Sequence, residues 1–307
     1  MKAANRAAKK AVSKHAAGKR PASKKAASRQ PAAGKRAVAV KRGTRTTSRP
    51  GILAIDIGGT GLKAAVLDDA GKMLTEKVRT PTPYPCPPEV MIETLVKLVA
   101  TLTHPYDRIS IGFPGVVRGN DVLTAPHFGT PEWAGFQLAS TLAERLGGMP
   151  ARLINDAEMQ GLAAIEGKGL EFVLTLGTGA GTALFRQGEL MPHLELAHHP
   201  AHKGKTYNEY IGDAALKKIG PKRWNRRVRK MLEVLDSLLH YDRLIIGGGN
   251  GAVLSGDLPP HVSVVSNDAG IEGGAALWRD PRAQAAPHAQ AARAATLQRA
   301  SRRGSVG

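Results

Sequence analysis

The run Ile52-Leu-Ala-Ile-Asp56-Ile-Gly-Gly-Thr60-Gly-Leu-Lys63-Ala-Ala-Val-Leu67 constrains the fold more than any other part of the chain. Two apolar, β-prone stretches meet at a glycine-rich corner, which predicts an antiparallel hairpin with an acid closing its first strand and a base opening its second. Gly58, Gly59 and Gly61 can take positive φ and let the backbone come close to a ligand. Amide N–H groups, the Thr60 hydroxyl and the Lys63 ammonium can then converge on phosphoryl oxygens, and Asp56 is placed to orient a hydrated metal ion. The same residues also make an ordinary tight hairpin with no ligand, and the motif alone does not choose between the two.

Two other phosphate-binding patterns are excluded. A dinucleotide fingerprint runs strand, glycines, helix, whereas Leu62 to Leu67 reads as a second strand that turns at Asp68 to Gly71. A P-loop places Ser or Thr after its lysine, and Lys63 is followed by Ala64.

The corner has a counterpart. Glu171 to Leu176 reads as a strand, Gly177-Thr178-Gly179-Ala-Gly181 as a second glycine turn, and Thr182 to Phe185 as the returning strand. Two such hairpins, each heading a series of helices and further strands, predict a pair of similar α/β lobes holding a nucleotide or polyphosphate in the cleft between them. The first series comprises strands near 51–57, 62–67 and 73–79, a Pro-rich link from Pro81 to Pro88, and a helix over about 89–103. It continues with a strand from Arg108 to Phe113, a helix over 135–146, a short strand from Ala151 to Ile154, and a helix running to Glu166. A third cluster, Gly247-Gly248-Gly249, follows the strand beginning at Leu244 and is read either as close backbone approach to an adenine or ribose or as a plain strand-to-helix turn.

Charge divides the chain. Residues 1–50 hold 16 of the 44 Lys and Arg and no acid; residues 279–307 add six against one acid. That leaves 22 basic and 24 acidic residues for 51–278, so the net charge of +19 comes from the ends. The segments 1–49 and 280–307 are read as disordered basic tails, because Ala, Lys, Arg and Ser without large apolar residues cannot offset chain entropy. Spaced dibasic pairs such as Lys9-Lys10 and Lys24-Lys25 suit a flexible polyanion, nucleic acid or polyphosphate, or else serve only solubility. No apolar stretch reaches bilayer length and none has the form of a secretory signal. Cys86 is the single cysteine, which rules out an intrachain disulfide and makes a cytoplasmic location the default.

Taken in order, Asp56-Ile-Gly-Gly-Thr60, Gly112-Phe-Pro-Gly115, Asn155-Asp156, Leu176 to Gly181 and Gly247 to Gly249 resemble the ROK family of the sugar kinase, heat-shock-protein ATPase and actin superfamily, in particular its polyphosphate glucokinases. The resemblance covers about residues 51–279 and implies two RNase H-like, actin-like ATPase lobes, 51–166 and 167–279, around a hinged cleft. It implies a homodimeric sugar kinase that moves a phosphoryl group from polyphosphate or ATP to a hexose, glucose first, with Asp56 assisting Mg²⁺ through water. The 58–61 and 177–181 loops would cradle phosphates, and Asp156 would sit beside the acceptor hydroxyl. Phosphoryl transfer asks mainly for positioning and charge neutralisation, so one base after a strand and before a helix suffices, with Asn155 bonding a neighbouring hydroxyl. Asn155-Asp156 also reads as a simple helix cap. Glu195-Leu-Ala-His198 occupies the place of the family's sugar-clasping Glu-x-Gly-His, with Ala197 in place of glycine and His127 where an asparagine is expected, so the pattern does not fix the sugar. His193, His198, His199 and His202 invite a zinc reading, but the family's cysteine-rich zinc loop is absent and no zinc is expected.

After Pro221, Arg223, Arg226, Arg227 and Lys230 share a helical face, with Met231, Val234, Leu235 and Leu238 expected to carry the buried stripe onward. Such a face is an ordinary solvated surface, or a landing track for a long polyphosphate. Two other functions compete with a kinase. A ROK-type sugar-sensing regulator attached to nucleic acid through the tail lacks a helix-turn-helix pattern, and an actin-like filament ATPase does not need the Glu195/His198 pair.

Overall fold

The computed structural model describes residues 49–279, and the tail readings lie outside the described residues. The first hairpin forms as expected, β1 (Gly51–Ile57) against β2 (Gly61–Leu67), with Asp56 opposite Lys63. The sheet is extended by β3 (Val78–Pro81) and, after α1 (Pro88–Val99), by β4 (Tyr106–Phe113), parallel to β1. A small hairpin of β5 (Val117–Arg118) and β6 (Asp121–Val122) and the helices α2 (Thr130–Trp133) and α3 (Leu138–Arg145) precede β7 (Ala151–Asn155), which gives a five-stranded sheet in the order β3-β2-β1-β4-β7.

After α4 (Asp156–Ala164) the same design repeats. β8 (Leu170–Leu176), β9 (Ala180–Arg186) and β10 (Glu189–Leu190) form antiparallel pairs. There follow the ribbon β11 (Pro200–His202) and β12 (Lys205–Thr206), then the helices α5 (Tyr207–Ile211), α6 (Asp213–Ile219) and α7 (Pro221–Leu239). Finally β13 (Arg243–Gly247) and β14 (Val262–Val264) add in parallel, giving β10-β9-β8-β13-β14, and α8 (Ala269–Ala276) ends the described chain.

Continuous apolar runs in β1 and β8 bury both faces of each sheet, as parallel neighbours covered by helices require. Two large cores result. One gathers Leu53, Ile55, Phe113 and Trp133 under α1 and α3; the other gathers Phe172, Trp224, Met231 and Ile246 under α7. Although α8 follows the second sheet in sequence, it packs on the first, with Ile271 and Ala275 against Ile52, Ala54 and Leu67. Its glycines allow this: a Cβ on Gly273 would overlap the Met159 carbonyl oxygen of α4, and one on Gly274 would meet Ala54 at 2.8 Å.

Two expectations need correction. The strand expected at 73–79 begins instead at Val78, because the Val66 N–H donates to the Thr75 hydroxyl at 3.0 Å, so a side chain takes a ladder bond and the chain leaves the sheet there. On α7 the buried stripe is Trp224, Val228, Met231, Leu232 and Leu235, whereas Val234 and Leu238 are exposed. Trp224, whose indole donates to the Ile211 carbonyl at 2.8 Å, sets the face; Val234 falls beside it and Leu238 lies beyond its end.

Candidate active site

The two glycine corners face one another. A Cβ built on Gly59 would lie 3.3 Å from the Thr178 hydroxyl and 3.4 Å from the His127 ring, so the two loops approach each other closely. Together they line a cleft of about 520 Å³. None of Gly58, Gly59, Gly61, Gly177, Gly179 and Gly181 has a left-handed φ, contrary to expectation for the first corner. At Gly58 and Gly179 what demands glycine is space: a Cβ on Gly58 would sit 2.8 Å from the Gly61 carbonyl oxygen, and one on Gly179 2.6 Å from Asn208 Oδ1. Gly248 does adopt a positive φ of 78°, and a Cβ there would overlap the Leu176 backbone.

Each corner is braced from outside its own hairpin. The Thr82 hydroxyl donates to the Gly58 carbonyl at 2.7 Å and the Tyr84 hydroxyl donates to that of Gly59. On the second corner, the Ala180 N–H donates to Asn208 Oδ1 at 2.7 Å and the Asp213 N–H to the Gly177 carbonyl at 2.9 Å. Lys63 and Arg79, paired across β2 and β3, both line the cleft beside the first corner. Lys63 Nζ donates to Asp56 Oδ2 at 2.7 Å, so base and acid of the opening motif form an ion pair at the cleft wall.

Asp156 opens α4 and reaches the same cleft. A Cβ on Gly181 would lie 3.8 Å from Asp156 Oδ1, which puts the carboxylate directly against the second corner. Asn155 caps α4, accepting through Oδ1 from the Ala157 and Glu158 N–H groups at 2.9 and 3.3 Å. Its Nδ2 donates to the carbonyls of Phe113 and Gly115 at 3.3 and 3.1 Å, tying the 112–115 turn to the base of α4. The amide's donors and acceptor are thereby all engaged within the chain.

The electrostatics divide the carboxyls. Burial, then the charge of Asp56, pushes the Asp156 carboxyl up to about 7. Burial also works on Glu195, but the hydrogen bond and charge of His193, with the charge of His198, outweigh it and hold that carboxyl below its ordinary range. His193 is itself pushed up to about 9: burial opposes its charge, and the hydrogen bonds to Glu158, at 2.8 Å, and Glu195, at 3.5 Å, prevail. Neighbouring acids driven in opposite directions mark a site with separate acid–base and binding duties.

Of the candidates named from sequence, Asp56, Gly58, Gly59, Thr60, Gly61, Lys63, Asn155, Asp156, Gly177, Thr178, Gly179, Gly181, Glu195, Gly248 and Gly249 all line this cleft. Gly247 lies behind the wall, where a Cβ would overlap the Gln160 amide, and His198 is exposed outside the lining. Among the described residues no three His, Cys, Asp or Glu side chains gather into a metal site.

A sequence profile of the ROK family matches residues 52–197. The chain is 31% identical over 247 residues to a polyphosphate glucokinase of Mycobacterium tuberculosis, covering 75% of this chain and 91% of that protein. The chain belongs to the ROK family. Its fold is similar to that of an inorganic polyphosphate/ATP-glucomannokinase from Arthrobacter sp. strain KM, with a TM-score of 0.68 at 29% identity over 76% of this chain and all of that one. A ROK family glucokinase from Streptomyces griseus, solved with glucose and AMPPNP, shares the fold with a TM-score of 0.61 at 21% identity over 74% of this chain and 98% of that one. Two sheets of one design joined through a cleft are thus the actin-like ATPase architecture of this family.

Sequence reasoning missed several residues of this ROK site. Gln160, Asn208, Asp213, Lys217 and Asn250 line the cleft but belong to no local motif. One signal was readable: Thr206 and Glu209 form a capping box that fixes the start of α5 and so the position of Asn208. The Glu158–His193 bond, 35 residues apart in sequence, leaves no such trace.

Proposed function

We propose that this cleft transfers the terminal phosphoryl group of polyphosphate or ATP to a hydroxyl of a hexose, with the 6-hydroxyl of glucose the first to test. What carries the reading is that Asp156 and both glycine corners border one cavity. The backbone N–H groups of the corners, with Arg79 and Lys63, supply donors and positive charge for phosphate oxygens. Asp156 accepts the proton of the sugar hydroxyl as its oxygen forms a bond to phosphorus and the bond to the leaving phosphate breaks. A pKa near the operating pH suits that duty.

Glu195, kept ionised by His193, accepts hydrogen bonds from sugar hydroxyls, and His198 stands at the rim rather than in the cavity. Asn155, its hydrogen bonds engaged, takes the role of a positioning residue that holds Asp156 instead of a sugar ligand. The donor set fits Mg²⁺, which keeps most of its water and needs one or two carboxylates plus phosphate oxygens; Asp56, whose charge is near enough to push the Asp156 carboxyl up, would hold the ion through water. When bound, the ion would neutralise charge on the donor phosphates.

Incubating the full-length protein with a panel of sugars, Mg²⁺ and either ATP or polyphosphate, with sugar phosphate detected by mass spectrometry, tests the reading. Donor consumption with no phosphorylated sugar from any hexose would reject it.

A further inference from the structure

A second cavity, of about 370 Å³, lies beside the cleft and is lined by Tyr210, Ile219, Arg223, Arg226, Arg227 and Lys230. Arg223, Arg226 and Lys230 are exposed, and none of the ion pairs among the described residues involves them. Arg227 lies over the Tyr210 ring at 4.6 Å and donates to the Tyr210 carbonyl at 3.3 Å, which fixes the cavity's floor. The positive field extends to β11: His202, 5.3 Å from the Tyr210 ring, is held below its ordinary pKa by desolvation and then by Lys230, Lys203 and Arg227.

This clustering opposes what helix stability favours. The first turn of α7 carries Lys222 and Arg223 and no acid, although a helix N-terminus favours negative charge. Arg223 with Arg227 and Arg226 with Lys230 are like charges at i, i+4, each unfavourable by itself. An anionic ligand would reverse both costs.

Resting on the phosphoryl-transfer reading of the cleft, we propose that this cavity anchors the distal part of an inorganic polyphosphate chain whose reacting end lies between the glycine corners. The two cavities flank one short element: Lys217 of α6 lines the cleft and Ile219 of α6 lines the second cavity. Lys217 and Ile219 stand two positions apart, about 3 Å of helical rise, so the cavities are near neighbours; the cationic lining of the second suits further linked phosphates, whereas the phosphates of ATP are followed by a ribose and base that carry no charge for it. A single-stranded nucleic acid fits less well, because it needs aromatic faces for its bases; Tyr210 is 8% exposed and Arg227 covers its ring.

The test compares the full-length protein with the triple variant Arg223→Glu, Arg226→Glu and Lys230→Glu. Arg223 lies in the first turn of α7, where glutamate favours the helix, and an unchanged thermal unfolding midpoint with unchanged turnover on ATP shows that the variant is folded. The KM for long-chain polyphosphate should rise about tenfold or more, while KM for ATP and for short-chain polyphosphate stays within about twofold. No rise, or the same rise for all three donors, overturns the anchor. If the unaltered protein uses ATP alone, the donor assignment falls, and salt-titrated release of bound long-chain polyphosphate decides the anchor separately. Release at lower salt from the variant supports it and equal release refutes it. Displacement of polyphosphate by single-stranded DNA at equal charge, from the unaltered protein and not from the variant, would make the cavity a general polyanion site and refute the assignment to polyphosphate.

Discussion

Asp156→Asn should make the protein more stable and nearly inactive, with the gain in stability growing as pH rises. The Asp156 carboxyl goes from an ordinary value of 3.8 to about 7 on folding, through burial first and the Asp56 charge second. The folded chain therefore holds a proton that the unfolded chain has lost between those values, so stability falls as pH rises across that window and the full cost is present above about 7. At ~1.4 kcal/mol per unit the shift sets a ceiling of roughly 4 kcal/mol, and residual solvent access reduces the expected gain to about 1–3 kcal/mol. Asparagine keeps the shape and the Oδ1 that accepts from the Ala157 N–H at 2.9 Å, so no compensating bond is lost. Urea unfolding of both proteins from pH 4 to 8 should show curves that nearly coincide at the acid end and separate toward pH 8. In the same variant, sugar phosphorylation should drop by about 10²–10⁴, and in the unaltered protein kcat/KM should fall as pH drops below about 7. A variant no more stable at pH 8 than at pH 4 relative to the parent would refute the burial argument, and retained turnover would refute the base.

Glu195→Gln should raise the sugar KM roughly tenfold or more by removing a charged acceptor, and should lower the His193 pKa seen by NMR, since that carboxylate helps hold the imidazole near 9. His193 binds its proton more tightly when folded, so its contribution to stability is complete below about pH 6.5 and is lost as pH rises through about 9; the stability deficit of His193→Gln in urea should shrink over that range. Gly273→Ala should destabilise by roughly 1–3 kcal/mol in thermal unfolding, because its methyl would overlap the Met159 carbonyl oxygen and push α8 off α4. Cys86, buried and with its thiol pushed up to about 11, should resist a thiol reagent at pH 8 in the native protein and react at once in denaturant.

The parts of this molecule that were legible in the sequence are those whose cause is local. Both hairpins announce themselves through apolar runs broken by glycine, and Asn155-Asp156 through a strand that stops where a capped helix begins. The reason glycine is needed at the second corner was not local: Gly179 must be small because Asn208, from α5, stands 2.6 Å from where its Cβ would be. The strand start at Val78 was hidden for a related reason, since nothing in Thr75 itself says that its hydroxyl will take the Val66 N–H. The return of α8 to the first sheet did leave a trace. Gly270, Gly273 and Gly274 in one turn and a half of helix lower its intrinsic stability and make sense only where backbones touch.

That contact gives α4 a particular position. Its Met159 carbonyl lies where a Cβ on Gly273 would stand, so α8 and the first sheet press on one side of it. On another side Gly161 packs so closely under β9 that a Cβ would overlap the Phe185 ring, so the second sheet presses there. The N-terminal residue of this helix is Asp156, and the cap before it, Asn155, is bonded to the 112–115 turn at the end of β4. A helix held by both sheets through glycine contacts cannot follow one sheet without shifting against the other. Any closure of the cleft around a donor and a sugar must therefore move the carboxylate relative to at least one glycine corner.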